Sequence, residues 1–139
     1  MNPKALALQQ RTHRFYVRVL RYCEGLPRNP RTARIEPQLI DSAGGTDSNY
    51  RAACRARSTP EFLAKIGVAA EEADESKGWL EALLASHNAE PDETRGLIKE
   101  ADELTAIFVK SRKTAETRLN AQKRQQKEAR ENSATKPRR

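Results

Sequence analysis

Apolar residues along the chain return every three or four positions and nowhere alternate over a sustained stretch, so the pattern predicts helices and no strands. The first seam reads Leu8, Thr12, Phe15, Val19, Tyr22 and Leu26, and Gly25 with Pro27 closes it as a C-terminal glycine followed by proline does. The second begins after Pro30 and runs through Ile35, Leu39, Ser42, Thr46, Asn49 and Ala53. Pro37 is tolerable there only in the first turn or as a kink. The third opens on Ser58 or Thr59 as a cap, with Pro60 and Glu61 suited to the first turn and its positive dipole end. Its seam is Phe62, Ile66, Ala69, Ala73, Ser76, Leu80 and Leu83, widened by Leu63, Trp79 and Leu84, and it ends near His87-Asn88. The fourth opens at Pro91-Asp92-Glu93 and shows Leu97, Ala101, Leu104 and Phe108, flanked by Ile98, Ile107 and Val109. These seams predict helices over about 4–25, 31–57, 60–87 and 91–109. Short connections favour antiparallel neighbours, so the expected fold is all-α, an antiparallel up-down four-helix bundle occupying residues 1–109.

Past Phe108 the same spacing would bury Ser111, Ala115 and Arg118, so the core ends there. Residues 110–139 form a basic C-terminal extension in which Leu119 is the sole large apolar side chain. Its Lys, Arg, Gln, Glu and Ala content favours helix to about residue 131. Two forms are expected, a projecting solvated helix or an arm that orders on a partner. Residues 132–139, with Pro137, read as loose.

The second seam is unusual in its chemistry. Gly44-Gly45 falls mid-helix, where each glycine costs about 0.5–1 kcal/mol relative to alanine. Ser42, Thr46 and Asn49 put polar groups where a bundle wants apolar ones. Either this helix packs closely inside one subunit, or it lies at an oligomer interface with Asn49 fixing register.

Composition narrows the class. The 139 residues are 37% hydrophobic, 5% aromatic and 32% charged, enough for one domain with a modest core and too poor in aromatics and turn residues for an all-β fold. No apolar run approaches membrane-spanning length, and the start Met1-Asn2-Pro3-Lys4-Ala5-Leu6 has no signal-like apolar region, so a cytoplasmic location is expected. Cys23 and Cys54 have neither metal-ligand spacing nor a disulfide framework and read as reduced, half-buried thiols. Charge is segregated. Residues 1–57 carry 11 Lys/Arg against 4 Asp/Glu, residues 58–109 carry 4 against 12, and residues 110–139 carry 11 against 3. The first two blocks can neutralise each other; the last has no counterweight.

Asn49-Tyr50-Arg51-Ala52-Ala53-Cys54-Arg55-Ala56-Arg57-Ser58, then Glu61-Phe62, Lys65-Ile66-Gly67, Glu71-Glu72-Ala73-Asp74-Glu75 and Trp79-Leu80-Glu81, follow one another without a gap, with Gln38-Leu39 and Ser42-Ala43 upstream. This arrangement resembles the bacterial four-helix-bundle proteins named for open reading frames within intervening sequences of large-subunit ribosomal RNA genes. The likeness is densest over residues 35–84 and absent from the extension. It implies a left-handed four-helix bundle assembling as a homopentamer, with no catalytic residues to carry over. It also implies kinship with the accessory variability proteins of diversity-generating retroelements, which bind nucleic acid and a reverse transcriptase. The chain departs from the family at Gly44-Gly45, Thr46 and Asp47, where members place a bulkier or more apolar run, and at Ala52-Ala53, where many carry an acidic residue or glycine.

No phosphate loop, zinc spacing or nucleophile elbow is present. His13 and His87 are solitary in sequence, and neither follows a Glu at the spacing that di-iron bundles use. Glu71, Glu72, Asp74 and Glu75 read as a solvated face, so no enzyme, metal, cofactor or small-molecule substrate is expected. The basic residues carry the functional expectation. Arg11, Arg14, Arg18 and Arg21 share one face of the first helix, either as a phosphate-contacting ridge or paired with the acidic third helix. Arg55 and Arg57 end the second helix, where cations complement the dipole. In the extension Lys110, Arg112, Lys113, Arg118, Lys123, Arg124, Lys127 and Arg130 form an aromatic-free basic arm. Such an arm grips phosphate rather than bases, and no apolar face opposes the charges as membrane insertion would need. The expectation is a non-enzymatic, homopentameric protein that binds RNA or DNA electrostatically, partner of a reverse transcriptase in a nucleoprotein complex. The alternative is a pentameric protein–protein scaffold without a nucleic-acid ligand.

Overall fold

Side-chain oxygens stand where helices must begin, and they fix the architecture. In the computed structural model, which describes residues 2–135, these are α1 (Pro3–Glu24), α2 (Pro30–Cys54), α3 (Thr59–Ala85) and α4 (Pro91–Thr135), with no strand among the described residues. Asn2 accepts from the Lys4 amide at 2.8 Å, and Asn29 accepts from the Arg31 and Thr32 amides at 3.0 Å while Thr32 Oγ1 answers the Asn29 amide. Ser58 accepts from the Glu61 amide at 3.2 Å. The carboxylate of Glu90 takes the Asp92 and Glu93 amides, which hold it below the usual carboxylate range.

The ends differ in detail from the sequence pattern. Gly25 stops α1 at φ −91°, a conformation open to any residue, so its lack of a side chain is not what ends the helix. Helix α2 stops at Cys54 rather than near residue 57, because Ser58 must be extended (φ −151°, ψ 159°) to cap α3. Helix α3 closes with His87 in the left-handed region (φ 57°). The Asn88 amide donates to the Leu83 carbonyl and the His87 amide to that of Leu84, a Schellman closure without glycine. Helix α4 runs 45 residues without a break at 109. Neither Gly nor Pro falls between 110 and 135, so nothing stops a helix already started on the bundle. Residues 132–135, expected to be loose, are helical; residues 136–139 lie outside the described residues.

Helix α3 packs closely against α2 and α4, while α1 lies on α2 and touches α4 more sparsely, diagonal to α3. Phe15, Val19, Leu39, Ile66, Leu80, Leu83, Leu97, Leu104 and Phe108 are fully buried, and they follow the seams read from sequence. Beyond Phe108 no residue of α4 is buried. Between α2 and α3 the large residues give way to Ala43, Ala69, Ala73 and a buried Ser42–Ser76 hydroxyl pair at 2.8 Å. Among the described residues no buried side-chain nitrogen or oxygen lacks a partner, and no helix is long and apolar enough to cross a membrane.

Candidate nucleic-acid interface

The start of α1, the link between α2 and α3, and the α4 extension bound an open groove of about 1180 Å³ at one end of the bundle. Its cations are Lys4, Arg57, Lys110 and Arg118, and no Asp or Glu lines it. The local structure explains why they meet. The Ser58 cap turns the chain so that Arg57 stands in the link, with its amide donating to the Glu61 carboxylate at 2.8 Å. Helix α4, unbroken past Phe108, carries Lys110 and Arg118 over the same opening. All four cations are exposed, and among the described residues none makes an ion pair. The floor is apolar: Leu8, Phe62 and Ile107 are half-buried there. Tyr50 stacks on Phe108 behind it, ring centroids 5.2 Å apart. Burial, and then the neighbouring Cys54 thiol, push the Tyr50 phenol up, so it stays neutral.

The remaining basic residues divide. At 100° per residue, Arg112, Lys113, Lys123, Arg124, Lys127 and Arg130 fall within an arc of about 120° on the side of α4 away from the groove. All are exposed; Arg112 pairs with Glu116 at 3.4 Å. On α1, Arg11 is not free for phosphate. Its guanidinium is shared between Glu100 and Glu103 of α4, with Nε to Glu100 Oε2 at 3.0 Å and Nη2 to Glu103 Oε2 at 2.6 Å. The expected pairing with α3 gives way because α1 and α3 are diagonal. Arg14, Arg18 and Arg21 stay exposed and, among the described residues, without an ion pair. Arg55 is the C-cap of α2, whereas Arg57 lies beyond it, next to the Ser58 cap of α3, so only Arg55 sits at the C-terminal end of a helix.

The oxygens weighed as interface markers turn inward. Ser42 and Thr46 are buried within the chain, Ser42 on Ser76 and the Leu39 carbonyl and Thr46 on the Ser42 carbonyl. Asn49 is half-buried and donates to the Gly45 carbonyl of its own helix at 2.9 Å.

Several residues escape a reading of the sequence. Lys4 and Phe62 join the groove only through the tertiary fold. His13, solitary in sequence, donates from Nδ1 to Asp47 at 2.9 Å, and Asp47 also takes Thr12 and Arg51. Both cysteines are free; burial pushes the Cys23 thiol up to about 12, making it inert. No group of His, Cys, Asp and Glu among the described residues is arranged to hold a metal ion.

A family model described as 23S rRNA-intervening sequence protein matches residues 4–110, so the span ends as the outer basic face of α4 begins. A solved structure of a protein with unknown function from the S23 ribosomal protein family of Bacteroides thetaiotaomicron VPI-5482 has a similar fold. Its TM-score is 0.72 at 22% identity, covering 79% of this chain and 98% of that one. No curated protein matches the chain.

Proposed function

The chain belongs to the 23S rRNA-intervening sequence protein family, and from that premise we propose that it is a non-enzymatic nucleic-acid-binding protein of the cytoplasm that grips phosphate through the groove and the outer face of α4. The observation that carries this reading is the groove lining, in which Lys4, Arg57, Lys110 and Arg118 converge with no carboxylate among them. The four cations are exposed and make no ion pair among the described residues, so their potentials add across the groove and favour an anion from outside. A polyanion also reaches the basic arc on the far side of α4, whereas a small anion does not. The proposal includes self-assembly, five subunits by the resemblance of the body, and a reverse transcriptase as protein partner by the likeness to retroelement accessory proteins. Several copies would raise weak phosphate contacts through effective concentration.

A salt titration of the full chain on structured RNA and on duplex DNA tests the electrostatic core of this reading. Replacing Lys123, Arg124, Lys127 and Arg130 by glutamine should flatten the log–log slope on duplex DNA by about 3.6 if each meets a phosphate. An unchanged slope would remove the outer face from the interface, and no binding to either nucleic acid at low salt would overturn the proposal. Light scattering that gives a monomer would remove the assembly. A second reading, a scaffold that docks a protein, draws on the exposed Glu71, Asp74 and Glu75 of α3, which make no ion pair among the described residues. It is favoured if nucleic acid fails to bind.

A further inference from the structure

We propose that the groove takes an unpaired stretch of nucleic acid, with bases laid on the Phe62 floor and phosphates along Lys4, Arg57, Lys110 and Arg118. This rests on the phosphate-binding reading above and narrows it to single strands. The argument is one of surfaces. A site built for a duplex needs only cations and donors on a surface shaped to the outside of the helix, because a duplex hides its base faces and presents sugar and phosphate. Here the cations ring an apolar floor, with Leu8, Phe62 and Ile107 each packed partly on the core and each lining the groove. A duplex lying across the rim would leave that floor in water. An unpaired base offers a flat apolar face of its own, and aromatic platforms between cations are how strands are held without sequence preference.

Size and stiffness agree. At about 1180 Å³ the open groove has room for a short run of chain. The floor is backed by the stacked Tyr50 and Phe108 rings, and the Arg57 link is fixed by the Ser58 cap and the Glu61 carboxylate. The platform therefore exists before the strand arrives and loses little entropy on binding. A small apolar floor inside a cationic rim also separates this groove from the outer face of α4, which has cations and no platform.

Anisotropy with labelled oligo-uridylate, oligo-deoxythymidylate and an RNA duplex of equal length, bound to the full chain, tests this directly. Single strands should bind about tenfold tighter than the duplex. Phe62→Leu, which keeps apolar volume and loses the ring, should weaken single-strand binding about five- to tenfold and leave the duplex unchanged, with Phe62→Tyr retaining affinity. Lys110→Gln with Arg118→Gln should lower the single-strand salt slope by about 1.4. A photo-crosslink from 4-thiouridine in the oligo-uridylate should map to residues 57–62 or 107–122 of the unmodified protein, a readout that needs no variant to fold. If duplex and single strand bind equally and Phe62→Leu changes neither, the unpaired-strand inference is wrong while phosphate binding stands. If neither binds at low salt, both are wrong.

Discussion

Asp47 shows what one carboxylate can organise in a helix seam. Its side chain is 8% exposed, and Thr12 Oγ1, His13 Nδ1 and Arg51 Nη2 approach it at 3.3, 2.9 and 3.2 Å, tying α1 to α2. Removing it orphans these donors unequally. Thr12 keeps the Gln9 carbonyl, and the largely exposed His13 and Arg51 can turn to water. Asp47→Ala should therefore cost about 1–3 kcal/mol and Asp47→Asn less, read from denaturation midpoints. An unshifted midpoint for Asp47→Ala would show that the cluster adds nothing to stability. None of this was legible in sequence, where Asp47 stands out only as a departure from the family's bulkier or more apolar run. The signal is a pairing between helices, which periodicity does not contain. Phe62 is the same kind of case: its spacing marks it as core, and only the tertiary fold shows that it also lines the groove.

The helices themselves were legible because their large residues keep one period. The α1, α3 and α4 seams are buried nearly as spaced, and Ser58 caps as its type suggests. The α2 seam was legible in position but not in partner, since its hydroxyls could have faced another subunit as well as α3. Within the chain Ser42 meets Ser76 of α3 and Thr46 its own helix, and tertiary contact also sorts the two glycines. A Cβ on Gly44 would meet the Tyr16 ring at 3.2–3.4 Å, and one on Gly45 would meet the Glu72 carboxylate oxygen at 2.7 Å. A ring packed on the core yields little, whereas a carboxylate at the end of a flexible side chain can swing outward. Glu72 has reason to move. Burial, then the carboxylates of Glu75, Glu71 and Asp41, raise it above the ordinary range. The folded state thus binds its proton more tightly than the unfolded one, and the charged form opposes folding as pH climbs through that raised value. Gly45→Ala should therefore keep most of the helix-propensity gain of about 1 kcal/mol at neutral pH, and Gly44→Ala should lose it. Equal gains in thermal midpoint would show that the Tyr16 ring gives way freely and that Gly44 is not there for close approach.

At the scale of the molecule, the three charge blocks of the sequence are recombined by the fold, Lys4 and Arg57 of the first meeting Lys110 and Arg118 of the last in one groove. The acidic block supplies Glu100 and Glu103 to hold Arg11, and the C-terminal block splits between the groove and the outer side of α4. Charge counting located the excess but could not split it, because the split depends on a helix that continues past its core. Residues 110–135 extend α4 by about 39 Å, and over residues 123–135 every side chain is exposed. The segment 123–135, without a packed face, is marginal as a helix alone and persists here by propagation from the bundle. Its local opening free energy should therefore be small while that of the core approaches the global value. Hydrogen exchange should show amides through Phe108 protected and those beyond residue 123 exchanging fast in the free protein. Adding single-stranded RNA at low salt should slow the second group, and high salt should release it, because the cations that bind phosphate are also what the bound helix must hold in place. Protection of residues 123–135 in the free protein that grows with protein concentration would mean the opposite arrangement, an extension covered by another copy of the chain. Its lysines and arginines would then face a neighbouring subunit, with the acidic α3 the natural counter-surface.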